Sequence, residues 1–269
     1  MRRYWLMTAG VMCCLLVHPH SDPYFIFQRP PWEQLSSDSR GVMALCNPAW
    51  SSPGLRYHWI CGVHNQQSVR QLNTLWLGGA FRFGERFSLA GALRHAPLPE
   101  NHYLRTAGAL SGSLYIAPQT AVGLSIRMTR IRLPANLGSM LAVGSMAGLV
   151  TRVGKKTEAA FAAGLHKNPG DGTGYSILST EIRHHLTTNA VLGISADMTS
   201  GMKPNVCAFF FTDLPSGIRI TISSGNGPDR LQAGILIPFR NFGAGTTLAY
   251  NPLAGNSSSM MLTGKKDMP

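Results

Sequence analysis

The sequence predicts an all-β protein: a transmembrane, antiparallel, up-and-down β-barrel of about 14 strands behind an irregular N-terminal segment. Three observations carry that expectation. Strand-length segments recur from Tyr57 onward, and in each one large apolar residues alternate with small or polar ones. Short turns and longer Gly/Pro/Asn-rich links join them by turns. Charged residues form only 13% of the chain, with 29 glycines, whereas soluble domains carry roughly a quarter of charged residues. A soluble surface of this size is normally covered with charge, so the deficit implies that much of this one does not face water. Length alone allows one large β domain or two small ones.

The first residues have the form of an export signal. Arg2-Arg3 supplies a positive start and Tyr4 to Val17 an uncharged, largely apolar run, so residues 1–21 are expected to be a signal peptide. Residues 22–56 follow as an irregular segment, punctuated by Pro23, Pro30, Pro31, Pro48 and Pro53, with at most a short helix at Gly41 to Leu45. The segment is rich in aromatic residues, among them Phe25, Phe27, Trp32 and Trp50. These need a surface to bury against. It is therefore expected either to fill the mouth of the barrel as a plug or to lie along its rim. Cys46, Cys61 and Cys207 form no C-x-x-C pair, which disfavours a structural zinc site; Cys46 and Cys61 could pair in an oxidising compartment.

The barrel is expected over residues 57–269. Its clearest unit is Leu75 to His95. With a three-residue loop, Gly84-Glu85-Arg86, Phe83 faces Phe87, Phe81 faces Leu89 and Leu77 faces Leu93. One face is then apolar throughout, and a one-residue slip destroys the separation. Such loops prefer glycine at the left-handed position, which here would fall to Arg86 or Glu85. The same three-residue logic pairs Leu114 with Val122 and Leu110 with Ile126 around Ala117-Pro118-Gln119. It pairs Leu149 with Phe161 around Gly154-Lys155-Lys156, and Ile182 with Ile194 and Leu178 with Met198 around Thr187-Thr188-Asn189. Continued to the end, it predicts strands starting near Tyr57, Thr74, Phe87, Tyr103, Thr120, Met140, Thr157, Gly174, Ala190, Asn205, Ile218, Arg230, Gly243 and Ser258. Most runs approach the ~9–11 residues that a tilted membrane strand needs. Only helices or a closed barrel can satisfy every backbone N–H and C=O in lipid. The competing reading is a single transmembrane helix over Leu133 to Thr151, which holds no charge, and Lys156 to Leu165 is alanine-rich enough to be helical by propensity.

Around Gly41 the chain reads SRGVMALCNPAWSSPG. Asn47-Pro48-Ala49, placed after an irregular segment and just before the first strand, resemble the N-terminal signature of the long-chain fatty-acid channel superfamily and its PorV/PorQ-type relatives. The resemblance implies a fourteen-stranded outer-membrane barrel and a gate-like N-terminus. It also implies passage or binding of a solute, or a role beside secretion-system proteins.

If the apolar parity faces lipid, the other parity lines the interior. It holds Arg82, Arg94, Arg105, Arg127, Arg183 and Arg219 together with Glu181 and Asp197. Guanidinium groups recognise carboxylates and phosphates, so these six arginines are candidate ligand-binding residues. The plainer alternative is that they close hydrogen-bond networks inside a filled barrel. The net charge of +12 is dispersed rather than clustered, and no nucleic-acid partner is expected. His184-His185 point to opposite faces of a strand and cannot share a metal there. No H-E-x-x-H, G-x-S-x-G or P-loop pattern occurs, and Asn168 to Gly172 reads as a loop tip rather than a calcium loop. No enzyme activity, cofactor or metal is expected. The expected setting is the outer membrane of a Gram-negative-type bacterium, with membrane lipid and a hydrophobic or anionic small molecule as partners. The alternative is a soluble secreted β-sandwich or barrel that binds a lipid or a protein.

Overall fold

Alternation with a period of two makes each segment a two-faced ribbon, and fourteen such ribbons close on one another. In the computed structural model, residues 47–50, 55–65, 73–97, 104–132, 139–167, 174–226, 231–251 and 255–267 are described. The strands are β1 (Leu55–Asn65), β2 (Asn73–Phe83), β3 (Phe87–Pro97), β4 (Leu104–Ala117), β5 (Thr120–Arg132), β6 (Ser139–Val153) and β7 (Thr157–Lys167). They continue as β8 (Gly174–His185), β9 (Ala190–Thr199), β10 (Asn205–Asp213), β11 (Arg219–Gly225), β12 (Leu231–Phe239), β13 (Phe242–Asn251) and β14 (Gly255–Asp267). Each is antiparallel to its sequence neighbours, and β1 pairs with β14 to close the barrel. Closure leaves no sheet edge, which is the condition for a β-structure in lipid.

The registers are those the apolar pattern demands. Phe83 pairs with Phe87, Phe81 with Leu89 and Leu77 with Leu93; Leu114 pairs with Val122, Leu149 with Phe161, and Ile182 with Ile194. Two turn details differ from expectation. The left-handed residue is not Glu85 or Arg86 but the first loop residue, Gly84 at φ 60°, and Gly154 does the same at φ 73°. Glycine enters this region without the Cβ clash of other residues. The β4–β5 connection is a two-residue turn, Pro118-Gln119, because the register shifts between Tyr115 and Ala117. That bulge absorbs one residue into the strand and preserves the pairing beyond it.

The described part of Leu133 to Thr151, from Ser139 on, is strand β6 and not helix, and the alanine-rich Lys156 to Leu165 is strand β7 from Thr157 on. Ala142, Met146 and Ala162 point inward while Leu141, Val143 and Phe161 point out, so the face separation of a sheet overrides helix propensity. His184 and His185 end β8 beside its turn. Cys61 is a free thiol on the outward face. The expected signal peptide, Cys46, the short helix at Gly41 to Leu45 and the loop tip at Asn168 to Gly172 lie outside the described residues.

Large apolar residues dominate the outward face. Leu124, Ile126, Leu110, Met260 and Leu165 are each more than 60% exposed, and Phe81, Phe87, Leu89, Leu114, Phe161 and Ile194 are exposed as well. A water-soluble monomer rarely exposes apolar patches beyond a few hundred Å²; lipid satisfies this wall and water does not. At the short-turn end, Tyr57, Trp59, Phe81, Phe83, Phe87, Phe239 and Phe242 form a belt on β1–β3 and β12–β13. Within it Trp59 meets Phe242 edge-on at 6.2 Å and Phe81 meets Phe83 at 4.6 Å. Such belts sit at the membrane–water boundary of outer-membrane barrels.

Candidate functional site: the barrel interior

Across β4 to β8 part of the inward wall is small, and it receives a turn from outside the strands. One inward row there runs Ser113, Gly123, Gly148, Ala162, Ser179. The turn Asn47-Pro48-Ala49-Trp50 is seated on this row. Asn47 donates from Nδ2 to the carbonyl oxygens of Phe161 (3.1 Å) and Leu149 (3.4 Å). The Ala49 N–H donates to Asn47 Oδ1 at 2.9 Å, and the Trp50 N–H to the Asn47 carbonyl at 3.1 Å. The asparagine thus closes its own turn with one end and grips the wall with the other. A Cβ on Gly148 would lie 2.0 Å from Asn47 Oδ1, and one on Gly123 2.2 Å from the Pro48 oxygen. The two glycines are cross-strand partners, and together they form the socket.

Trp50 is buried against Ala160 and Val150. Its ring stacks on the Arg183 guanidinium at 4.4 Å, and Phe209 covers the same group at 5.8 Å. Phe209 reaches across β9 because Gly193 lies between them, paired to both; a Cβ there would be 2.2 Å from the ring. Arg183 also pairs with Glu181, two residues away on the same face. Stacking of a desolvated guanidinium contributes ~2 kcal/mol, so Arg183 holds the N-terminal turn in place.

The other candidate arginines divide by role. Arg82 sits at the short-turn mouth, where Nε donates to the Gly84 carbonyl at 3.1 Å and Nη2 to that of Glu85; it caps its own hairpin. Arg219 is held by Asp213 through two bonds of 2.6 and 2.5 Å and stacks on Phe211 at 4.7 Å. Arg94 is buried over the Trp76 ring at 4.6 Å. Arg127 is buried, donating to Ser125 Oγ at 3.4 Å and to Met146 Sδ at 3.0 Å. Arg105 is half-buried on β4, one pair of residues from Arg94. The structure therefore places Arg94, Arg105 and Arg127 on one stretch of inner wall, β3–β5. Among the described residues, the carboxylates whose side chains point inward, Glu158, Glu181, Asp197 and Asp213, lie on β7–β10.

Sequence reasoning named Trp50 within the segment expected at the mouth or rim, but missed Trp76, Phe209 and the glycine sockets as parts of this interior. The usable signal was glycine at inward parity, which marks places where another group crosses the wall. Breaking the Arg219 pair is informative. Asp213→Ala leaves a nearly buried guanidinium uncompensated, and because Asp213 is one-third exposed a loss of about 1–3 kcal/mol is expected. Urea unfolding in liposomes checks this, and Asp213→Leu combined with Arg219→Met should recover most of it.

No family model matches the chain, and no curated protein matches it. Solved structures do. The toluene transporter TbuX of Ralstonia pickettii aligns over 85% of this chain and 94% of its own, at 9% identity and a TM-score of 0.60. The toluene transporter TodX of Pseudomonas putida aligns over 87% and 94%, at 7% identity and 0.57. A Pseudomonas aeruginosa FadL homologue aligns over 84% and 94%, at 11% identity and 0.51. These likenesses give no support to the PorV/PorQ-type branch of the resemblance. At such identities what is shared is the fold: this chain is similar in architecture to the barrels of hydrocarbon transporters and of a FadL homologue.

Proposed function

We propose that the protein is exported to the outer membrane and there passes a small hydrophobic solute with an anionic group across it. The observation that carries this reading is the division of charge inside the barrel. Arg94, Arg105 and Arg127 lie on β3–β5, while the inward carboxylates among the described residues lie on a separate stretch of wall, β7–β10. Beside the arginines stand Trp76 and Met146, with Ile60, Met261, Tyr175 and Ile177 in the neighbouring inward clusters. A guanidinium group binds a carboxylate through paired charge-assisted hydrogen bonds, and the apolar neighbours suit an aliphatic or aromatic body. Fold likeness to toluene transporters supports the hydrophobic half of this reading, and the arginines support the anionic half. Residues 22–56 serve in this reading as the gate, with Asn47-Pro48-Ala49 as its hinge into β1.

The test is passage through liposomes carrying the purified barrel. Alkyl and aryl carboxylates are expected to enter faster than their amide counterparts. Replacing Arg94, Arg105 and Arg127 together by Gln should remove that preference while a neutral aromatic hydrocarbon passes unchanged. If neither carboxylate nor hydrocarbon enters a correctly folded barrel, the channel reading fails, and a secretion or surface-attachment role would then stand.

A further inference from the structure

The lipid-facing wall is not uniform. On β3–β7 two adjacent outward rows, Leu89–Gly112–Leu124–Ala147–Ala163 and Leu110–Ile126–Ser145–Leu165, enclose a hollow of about 680 Å³. Its floor is small (Gly112, Ala147, Ser145, Ala163), and its walls are Leu89, Leu110, Leu124, Ile126 and Leu165. A second outward hollow of about 790 Å³ lies on β1, β2 and β12–β14, lined among others by Val63, Leu75, Ile235 and Met260.

What distinguishes the first is charge. Lys167 is the outward residue two past Leu165, paired with Val143 in the row above the hollow. Arg130 and Arg132 are four and six past Ile126 on the same outward parity. All three side chains are exposed. At ~3.3 Å of rise per residue they stand roughly 7 to 20 Å beyond the hollow, towards the long-loop end. Lys167 and the two arginines flank β6, two strand spacings apart, or about 10 Å. The described outward positions above the second hollow, among them Asn65, Asn73, Leu231, Tyr250, Asn256 and Ser258, carry no charge. Among the described strands, no other outward residue in the long-loop half is a Lys or Arg.

Short turns face the periplasm and long loops the exterior in barrels of this kind, so this site opens at the outer leaflet. We infer that the β5–β7 wall is a specific seat for a phosphorylated, acylated lipid of the outer leaflet. One acyl chain lies in the hollow, and the headgroup phosphate sits between Lys167 and Arg130–Arg132. The apolar hollow alone would take any chain; the three cations select an anionic headgroup directly above it. The inference rests on the membrane placement but not on the solute, so the solute assay and the lipid assay fail independently.

Full-length barrel in nanodiscs, checked for folding by its heat-modifiable migration, is titrated with lipid A bearing two phosphates, with the same lipid stripped of phosphate, and with phosphatidylglycerol. Bound lipid is read by native mass spectrometry. Bisphosphorylated lipid A is expected to bind tightest. Arg130→Gln, Arg132→Gln and Lys167→Gln together should weaken it by about a hundredfold, at the usual electrostatic contribution of each basic residue near an anionic surface. Ala147→Leu with Ala163→Leu, which fill the hollow and keep the cations, should also release it. Arg86→Gln with Lys155→Gln, at the short-turn end, should not. Equal binding of the phosphate-free lipid, or undiminished binding by the triple variant, overturns the site. Tighter binding of phosphatidylglycerol shows that a simple anionic phospholipid is the occupant and overturns the assignment to outer-leaflet lipid.

Discussion

Leu124→Arg is expected to cost about 2–4 kcal/mol of barrel stability in lipid, the range for a basic residue at mid-membrane on the outer wall of such a barrel. Leu124 is 70% exposed and lies within β5 between two fully apolar outward neighbours, Val122 and Ile126. An arginine there must either pull its guanidinium out of the hydrocarbon along a short reach or draw water in. The measurement is the urea midpoint of the liposome-inserted barrel, with the heat-modifiable fraction as a check on assembly. Ser125, its immediate neighbour, points inward and is buried; Ser125→Ala should change the midpoint little. A Leu124→Arg barrel that assembles and unfolds like the parent would mean that this wall does not meet hydrocarbon, and the soluble-barrel alternative would return.

Gly148→Val should unseat the N-terminal turn. The new side chain would occupy the place of Asn47 Oδ1, 2.0 Å from its Cβ, with the Pro48 ring at 2.9 Å. The Asn47 amide is held by hydrogen bonds at both its nitrogen and its oxygen and Pro48 is a rigid ring, so the turn must leave. With it go the two Asn47 bonds to β6 and β7, at about 1 kcal/mol each, and the stacking of Trp50 on Arg183. Hydrogen exchange at the Ala49 and Trp50 amides, both bonded within the turn, should accelerate by on the order of a hundredfold. Gly123→Val should do the same from the neighbouring strand. If residues 22–56 gate the bore, ion conductance through planar bilayers rises in both variants. Faster exchange with unchanged conductance would show that the turn is an anchor only. Unchanged exchange would contradict the socket itself.

Most of the barrel was legible because a strand in a two-faced wall carries its solvent on its own residues. Phe81, Phe83, Phe87 and Leu89 declare the register of β2 and β3 by parity alone, since a slip by one would put all four inside. The helix-like stretches yielded to the same rule: β6 and β7 contain glycine and alanine because their inward positions must be small. Turn chemistry was read less well. The left-handed position fell on Gly84 and Gly154, where glycine was already available. The β4–β5 loop lost a residue to a bulge that no local pattern marks.

Asn47-Pro48-Ala49 was recognisable in the sequence as a motif, but its partners were not. Asn47 bonds carbonyls 102 and 114 residues away, and the glycines that admit it belong to strands brought side by side only by closure. The six arginines were correctly placed on the inward parity, yet parity says nothing of position around the ring. Strand order and stagger put Arg183 and Arg219 beside carboxylates and aromatic rings, set Arg82 on its own turn, and gathered Arg94, Arg105 and Arg127 on one wall. Hydrophobic alternation, a local property repeated every two residues, thus determined strand number, register and which face meets lipid. Which inward groups meet one another was decided by the tertiary structure, because contacts across a closed bore join residues that no sequence period relates.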